Sequence, residues 1–356
     1  MKINILLLGN TTRPTGGFKI IYEYCNKLAE YGNDVTINYL YGSMLTNKHL
    51  PEFIRKPIVK LYSETIGPGN WFRLDRRIKK RVLSEPNKMA AGDVVIATAL
   101  QTAFIVKSLP DYCGKKFYFI QDFENWNCSD EKVCSSYGLE MTNIVVAKWL
   151  KEIVDKHSSF PSYLVSNCIN AEVFYDIGAS RRKHSIVFHY RSADYKGPQY
   201  ALEVIRKLEE KYDDLIVDVI SIEDKPQNLP PCCTYHQKIT PKEVAEINNR
   251  TEVFMCTTVE EGFGLPGLEA MACGCAIVSS SYRGVLEYAV DGENALLSPV
   301  RDVDAMVNNI AKLFEDDELR KKISKNAVET GKNRSLEKSA KEFERILVEY
   351  LNGRYI

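Results

Sequence analysis

No run of about 18 consecutive apolar residues occurs in this 356-residue chain, so nothing in it predicts a membrane-spanning helix. Net charge is missing too. Lysine plus arginine equals aspartate plus glutamate, 47 against 47, so no global basic field draws the chain to nucleic acid. Any anion it holds must be held by a local site. An export signal is also lacking. The opening MKINILLLGN has one lysine and no small-residue cleavage site, and it runs straight into a turn, so it reads as a first strand. The ten cysteines show no paired metal spacing. Cys232-Cys233 and Cys273-Gly274-Cys275 are too close for a zinc knuckle. They are expected to be reduced, mostly buried thiols of a cytoplasmic protein. The dinucleotide fingerprint is absent as well. Gly9, Gly16 and Gly17 do not fit G-x-G-x-x-G, and no acidic residue clearly ends the second strand, which weighs against hydride transfer.

What is present is an alternation of strand-like and helical runs, with no internal repeat and no low-complexity tract. Strands are predicted over 2–8, 34–39, 93–98, 116–120 and 144–147, with a helix over 18–31 stopped by Gly32. The rhythm restarts after the charged SRRKH with strands over 185–190, 215–220, 253–257, 276–279 and 295–298. Helices are predicted over 199–212, 241–249 and 266–273. Two successive α/β domains with parallel sheets follow from this, with a boundary near 166–182. Their ligand is expected at strand carboxyl ends, facing a cleft between the domains.

Three stretches at such ends carry chemistry. Gly16-Gly17 open a helix after the first strand, where backbone N–H groups form an anion site; a plain strand–helix turn is the alternative. Arg191 and Lys196 in HYRSADYKG follow the first strand of the second half, where two cations suit a diphosphate; a solvated basic loop is the alternative. The third stretch is EEGFGLPGLEAMACG. Gly262, Phe263, Gly264 and Leu265 lead into a helix with Pro266 near its first position. Glu261 and Glu269 flank bare amides. Carboxylates repel phosphate, so they should accept hydrogen bonds from hydroxyls, and a ligand with both groups is a sugar nucleotide. A charge complementing the helix dipole would account for Glu269 but not for Glu261.

Together Gly16-Gly17, Arg191, Lys196 and Glu261-x7-Glu269 resemble the retaining glycosyltransferases of family 4, supported by SNCINAEVF, VLEYAVDGENALL and YGNDVTI. The resemblance implies the GT-B fold, two Rossmann-like domains facing across a cleft. An acceptor domain of residues 1–166 would be completed by a C-terminal helix at 338–356, with a donor domain at 167–337. It implies that Glu269 grips the donor ribose and Glu261 a sugar hydroxyl. Arg191 and Lys196 would hold the diphosphate, and Gly17 would approach it from across the cleft. One departure stands out. Where many members have a His-Asp pair, this chain has Gln121-Asp122 in FYFIQDFENW, a stretch similar to bacterial rhamnosyltransferases of the family.

The implied reaction moves a hexosyl or deoxyhexosyl group from a nucleoside-diphosphate sugar to a glycan or lipid-linked saccharide, with retention and no metal. Asp302-Val303-Asp304 has a metal-site spacing but reads as a helix N-cap. A sugar-nucleotide epimerase of the same fold and a non-catalytic nucleotide-sugar binder remain as alternatives. Base recognition is expected near YHQKIT. The basic stretch NWFRLDRRIKKRVL, residues 70–83, is expected to offer Trp71, Phe72 and six cations to the anionic inner face of a membrane.

Overall fold

A computed structural model describes residues 1–11, 14–40, 66–83 and 85–353. It falls into two compact units. One is Met1–Ser166 with Glu337–Ile356, the other Asn167–Leu336.

The first unit is built on a seven-stranded parallel sheet. Its strands are β1 (Lys2–Leu8), β2 (Asp34–Leu40), β3 (Lys79–Leu83), β4 (Val94–Ala97), β5 (Lys115–Ile120), β6 (Thr142–Val145) and β7 (Tyr163–Leu164). The order is β3-β2-β1-β4-β5-β6-β7. Central strands such as Val94–Ala97 are buried along their whole length, which is why they read as unbroken apolar runs rather than alternating ones. The helix Gly16–Glu30 follows β1, buries Ile20, Ile21, Cys25 and Leu28, and ends before Gly32 at φ +90°. The closing helix Leu336–Leu351 returns to this unit and packs Phe343 against Tyr24 and Phe119.

The second unit carries six parallel strands: β8 (Arg182–His189), β9 (Ile216–Ser221), β10 (Cys233–Gln237), β11 (Thr251–Cys256), β12 (Ala276–Ser280) and β13 (Leu296–Ser298). Their order is β10-β9-β8-β11-β12-β13. The chain therefore leaves β8 towards one edge and then returns to build the other half from β11. A parallel sheet that reverses its order in this way opens a crevice at the carboxyl ends of the two central strands.

Two stretches singled out in the sequence take the following places. Residues 70–83 expose Arg73, Arg76, Arg77, Lys79 and Arg81, while Trp71 and Phe72 are only partly exposed. They contain a short turn, Gly69–Trp71, and the edge strand β3, paired in parallel with β2. Trp71 and Phe72 pack on buried Tyr22, with ring centroids 5.8 and 5.5 Å away, and Trp71 Nε1 donates to the Thr11 carbonyl. Lys79 and Arg77 are paired with Asp34 and Asp75. The aromatic pair is thus engaged within the domain while most of the cations stay on the surface. The second stretch is YHQKIT. Tyr235, His236 and Gln237 belong to edge strand β10, and His236 Nε2 lies 2.7 Å from buried Asp218. The ten cysteines are all free, five of them buried.

The helix that supports the later site is fixed by a close approach. A Cβ on Gly331, in the helix Asp317–Asn333, would lie 2.7 Å from both Cα and Cβ of Ala272. Alanine at 331 gains up to about 1 kcal/mol of helix propensity. Overpacking costs about 1–3 kcal/mol, so the clash should win. Gly331→Ala is expected to lower the urea midpoint at unchanged slope; a raised midpoint would show that the two helices separate freely.

Candidate active site

The site in the second unit is assembled at the carboxyl ends of β8 and β11, adjacent strands on either side of the order reversal. Arg191 lies just beyond β8. Its guanidinium is half-buried, and Nη1 donates to the Tyr190 carbonyl at 2.8 Å and to Ser221 Oγ at 3.4 Å. Burial pulls the Arg191 pKa below the ordinary guanidinium value, with Glu223, Tyr235 and Glu261 acting in the other direction. An arginine does not give up its proton in practice. The shift therefore reports a desolvated cation that gains from a further anion.

Lys196 sits in a short turn, Asp194–Lys196, ended by Gly197 at φ +66°. A Cβ at 197 would fall 2.1 Å from the Thr257 carbonyl, so the turn can press against the end of β11 only with glycine there. Thr257 Oγ1 donates to the Gly197 carbonyl at 2.9 Å, and Val259 N donates to the Tyr195 carbonyl at 2.8 Å. These bonds tie the two loops together and bring Lys196 Nζ to 2.8 Å from Glu261 Oε1. Both partners remain partly exposed.

Beyond Glu261 the chain turns through Gly262, Phe263 and Gly264 into the helix Leu265–Ala272. Gly264 is its N-cap at φ +89°, and Pro266 occupies the first turn, where its missing N–H is no loss. The first-turn N–H groups lack partners within the helix, as at every helix start. Buried tyrosines hold the turn in place. Tyr288 Oη donates to the Gly264 carbonyl at 2.7 Å, and Tyr282 in turn hydrogen-bonds Tyr288. Burial pushes both phenols well above their ordinary pKa. A Cβ on Gly264 would meet Tyr282 Oη at 2.0 Å, and one on Gly284 would meet the Glu261 carbonyl at 2.5 Å. Phe263 is stacked beside Tyr288, with Arg334 above its ring.

Glu269 lies in the second turn of this helix and is 7% exposed, so its environment differs sharply from that of Glu261. The Asp302 carboxylate caps the helix Val303–Glu315 by accepting from Ala305 N, and Asp304 pairs with Lys207.

Arg191, Lys196 and Glu261 are thus gathered by β8 and β11, with Gly262–Leu265 and Glu269 following from β11. Gly16, Gly17, Gln121 and Asp122 belong to the first unit. There the Gln121 side chain lies against Gly17, at 3.6 Å from where a Cβ would stand. The Asp122 carboxylate accepts from Phe123 N at 2.8 Å. Sequence reasoning missed Gly197, Thr257, Tyr282, Gly284 and Tyr288. The last two fall in or beside VLEYAVDGENALL, but nothing in their spacing announces that they face the glycine turn.

Residues 174–330 match the family described as glycosyl transferases group 1. Among curated relatives, the chain is 25% identical over 234 residues to N,N'-diacetylbacillosaminyl-diphospho-undecaprenol alpha-1,3-N-acetylgalactosaminyltransferase of Campylobacter jejuni, covering 64% of this chain and 59% of that protein. It is 23% identical over 173 residues to D-inositol 3-phosphate glycosyltransferase of Corynebacterium efficiens, covering 44% of this chain and 41% of that protein. The alignments thus span about three fifths or less of these relatives. Among solved structures, sucrose-phosphate synthase from Thermosynechococcus elongatus superposes with a TM-score of 0.77 at 13% identity, over 99% of both chains. HepE of Anabaena, solved with UDP-glucose, gives 0.71 at 12% identity over 98% of this chain and 100% of that one. The two parallel-sheet α/β units therefore have the GT-B fold.

Removing the Tyr288 hydroxyl takes one buried hydrogen bond from the Gly264 carbonyl, which keeps Gly267 N as a donor. Tyr288→Phe should cost about 1 kcal/mol. Gly264→Ala adds a backbone penalty of about 1–2 kcal/mol to a collision with Tyr282. Urea denaturation should therefore rank Gly264→Ala as the more damaging; equal stabilities would mean the turn is not clamped.

Proposed function

We propose that this chain, whose residues 174–330 form a glycosyl transferases group 1 domain, moves a hexosyl or deoxyhexosyl group from a nucleoside-diphosphate sugar to a hydroxyl of a saccharide or lipid-linked saccharide, with retention at the anomeric carbon. The observation that carries this reading is the desolvated Arg191 beside the Lys196–Glu261 pair at the order reversal of the second sheet. The glycosyl transfer that the relatives' names state supports it.

In this reading Asn167–Leu336 binds the donor, and Met1–Ser166 with the closing helix serves the acceptor. Arg191, Lys196 and the amides of Gly262, Phe263, Gly264 and Leu265 take the diphosphate. As the sugar–phosphate bond breaks, negative charge grows on the departing diphosphate, and cations and amides already in place stabilise it without reorganising. Lys196 is held by Glu261 before any donor arrives. Donor binding then redistributes that pair, with the lysine passing to phosphate and the carboxylate to a sugar hydroxyl. Glu269, buried on the helix, meets the ribose. Gly16, Gly17, Gln121 and Asp122 contribute substrate contacts from the first unit.

No metal is required in this proposal, because fixed cations and amides neutralise the leaving group. Transfer activity should persist in EDTA, and activity lost there but restored by manganese would overturn the point. The transferred sugar should keep its anomeric configuration by NMR.

The two carboxylates should separate kinetically. Ribose contacts change little between ground and transition states, so Glu269→Ala should mainly raise the donor KM. Contacts to the transferred sugar change during reaction, so Glu261→Ala should mainly lower kcat, by about 10–10³-fold. Steady-state kinetics with varied donor reads the split. If both variants lose only donor affinity, the roles assigned to the carboxylates are wrong.

A further inference from the structure

The loop Gln121–Ser129, which follows β5 in the first unit, carries two side chains that the reading above leaves unused. Trp126 is 63% exposed, an unusual state for the largest apolar side chain. The other two tryptophans, Trp71 and Trp149, are each partly covered by the fold. Two residues earlier, Glu124 is half-buried. Its Oε2 accepts from Leu100 N at 2.7 Å, at the start of the helix Leu100–Ser108.

The loop is preorganised rather than slack. Asn125 N donates to the Phe123 carbonyl at 2.8 Å, Asn125 Nδ2 to Asp130 at 2.9 Å, and Cys128 Sγ to the Glu124 carbonyl at 3.4 Å. Gln121, at its start, rests on Gly17. Nearby, Tyr137 packs against Tyr118 with ring centroids 6.3 Å apart. Tyr137 is 1% exposed, and its hydroxyl has no hydrogen-bond partner among the described residues.

We propose that Trp126 and Glu124 form a subsite for an uncharged pyranose of the acceptor, with the indole face as platform and the Glu124 carboxylate accepting a hydrogen bond from a sugar hydroxyl. The chemistry selects this ligand class. An exposed aromatic ring offers an apolar face with low conformational entropy to lose, which suits the C–H face of a sugar. Carboxylates at 122 and 124 accept from hydroxyls and repel phosphate or carboxylate ligands. The subsite thus lacks the cations, Arg191 and Lys196, that the proposed donor site sets beside Glu261.

Titration should modulate the contact. Burial raises the Glu124 pKa to about 7, the Leu100 N–H lowers it and Asp122 raises it. The groups facing it are Asp122 on the loop, Tyr118 on β5 and Tyr137 on the helix Asp130–Tyr137. A raised carboxyl stays protonated up to its shifted pKa, so the better acceptor, the carboxylate, forms only as pH climbs through about 7. Sugar affinity should therefore rise between pH 6 and 8, about one unit either side of that value.

This inference rests on the transferase reading, and its test separates the two. Saturation-transfer NMR titrations of the full chain would use methyl α-glucoside, methyl α-galactoside, methyl α-rhamnoside and methyl N-acetyl-α-glucosaminide. Trp126→Ala should raise the Kd of the bound glycoside by up to about tenfold, the upper end of the worth of one aromatic contact, and Trp126→Phe should restore part of it. Glu124→Gln should weaken binding and flatten its pH dependence, with circular dichroism confirming the fold. The subsite is overturned if no glycoside binds, or if Kd stays within about twofold in both Trp126→Ala and Glu124→Gln, a change below 0.5 kcal/mol. Thermal shifts with UDP, dTDP, GDP and ADP read the donor unit separately. Glycoside binding without any nucleotide response would remove the transferase reading and leave the sugar subsite standing.

Discussion

The hydrogen bond from buried Tyr288 to the Gly264 carbonyl is the constraint on which the second unit's site depends. A glycine-rich turn has more conformational freedom than any other, and it gives that freedom up on folding. Left alone, Gly262–Gly264 would sample many shapes, and its N–H groups would point at water. Here the turn lies on two buried phenols and against Gly284, so that a single methyl at 264 or 284 has no room. The turn is buried and closely packed against these neighbours. Rigidity comes from the neighbours, since the turn has little of its own.

Electrostatics follow from that scaffold. Glu261 emerges at a fixed place and meets Lys196, which is delivered by a turn sewn to the end of β11 through Thr257 and Gly197. A partly exposed pair of this kind contributes little to stability, about 0–1 kcal/mol. Its value is in the arrangement: each charge is poised beside the other and ready to be shared with a ligand carrying both phosphates and hydroxyls. Arg191 is more deeply desolvated, and its cost is offset by the neighbouring carboxylates and, in the proposed complex, by diphosphate.

The two units offer opposite chemistry. The second presents Arg191, Lys196 and helix-start amides, which favour anions. The first presents Asp122, Glu124 and Trp126 on one braced loop, which favour uncharged hydroxyl-rich rings.

Much of the fold was legible because parallel strands buried on both faces read as apolar runs. β1, β5, β11 and β12 were placed within a residue or two on that signal alone. β3 was not, since Lys79–Leu83 is an edge strand whose exposed residues are charged; its cations masked the pairing with β2. The site was legible only in part. By itself the sequence set the glycines, the proline and the charges, because bare amides, a helix start and ion type are local properties of residues. Tertiary structure alone decided that Lys196 meets Glu261, that Tyr288 grips Gly264 and that Trp71 points inward. Those contacts join residues 24 to 65 positions apart in the chain or pack across elements. No local pattern encodes them, because they arise from strand order and from which faces the sheets bury.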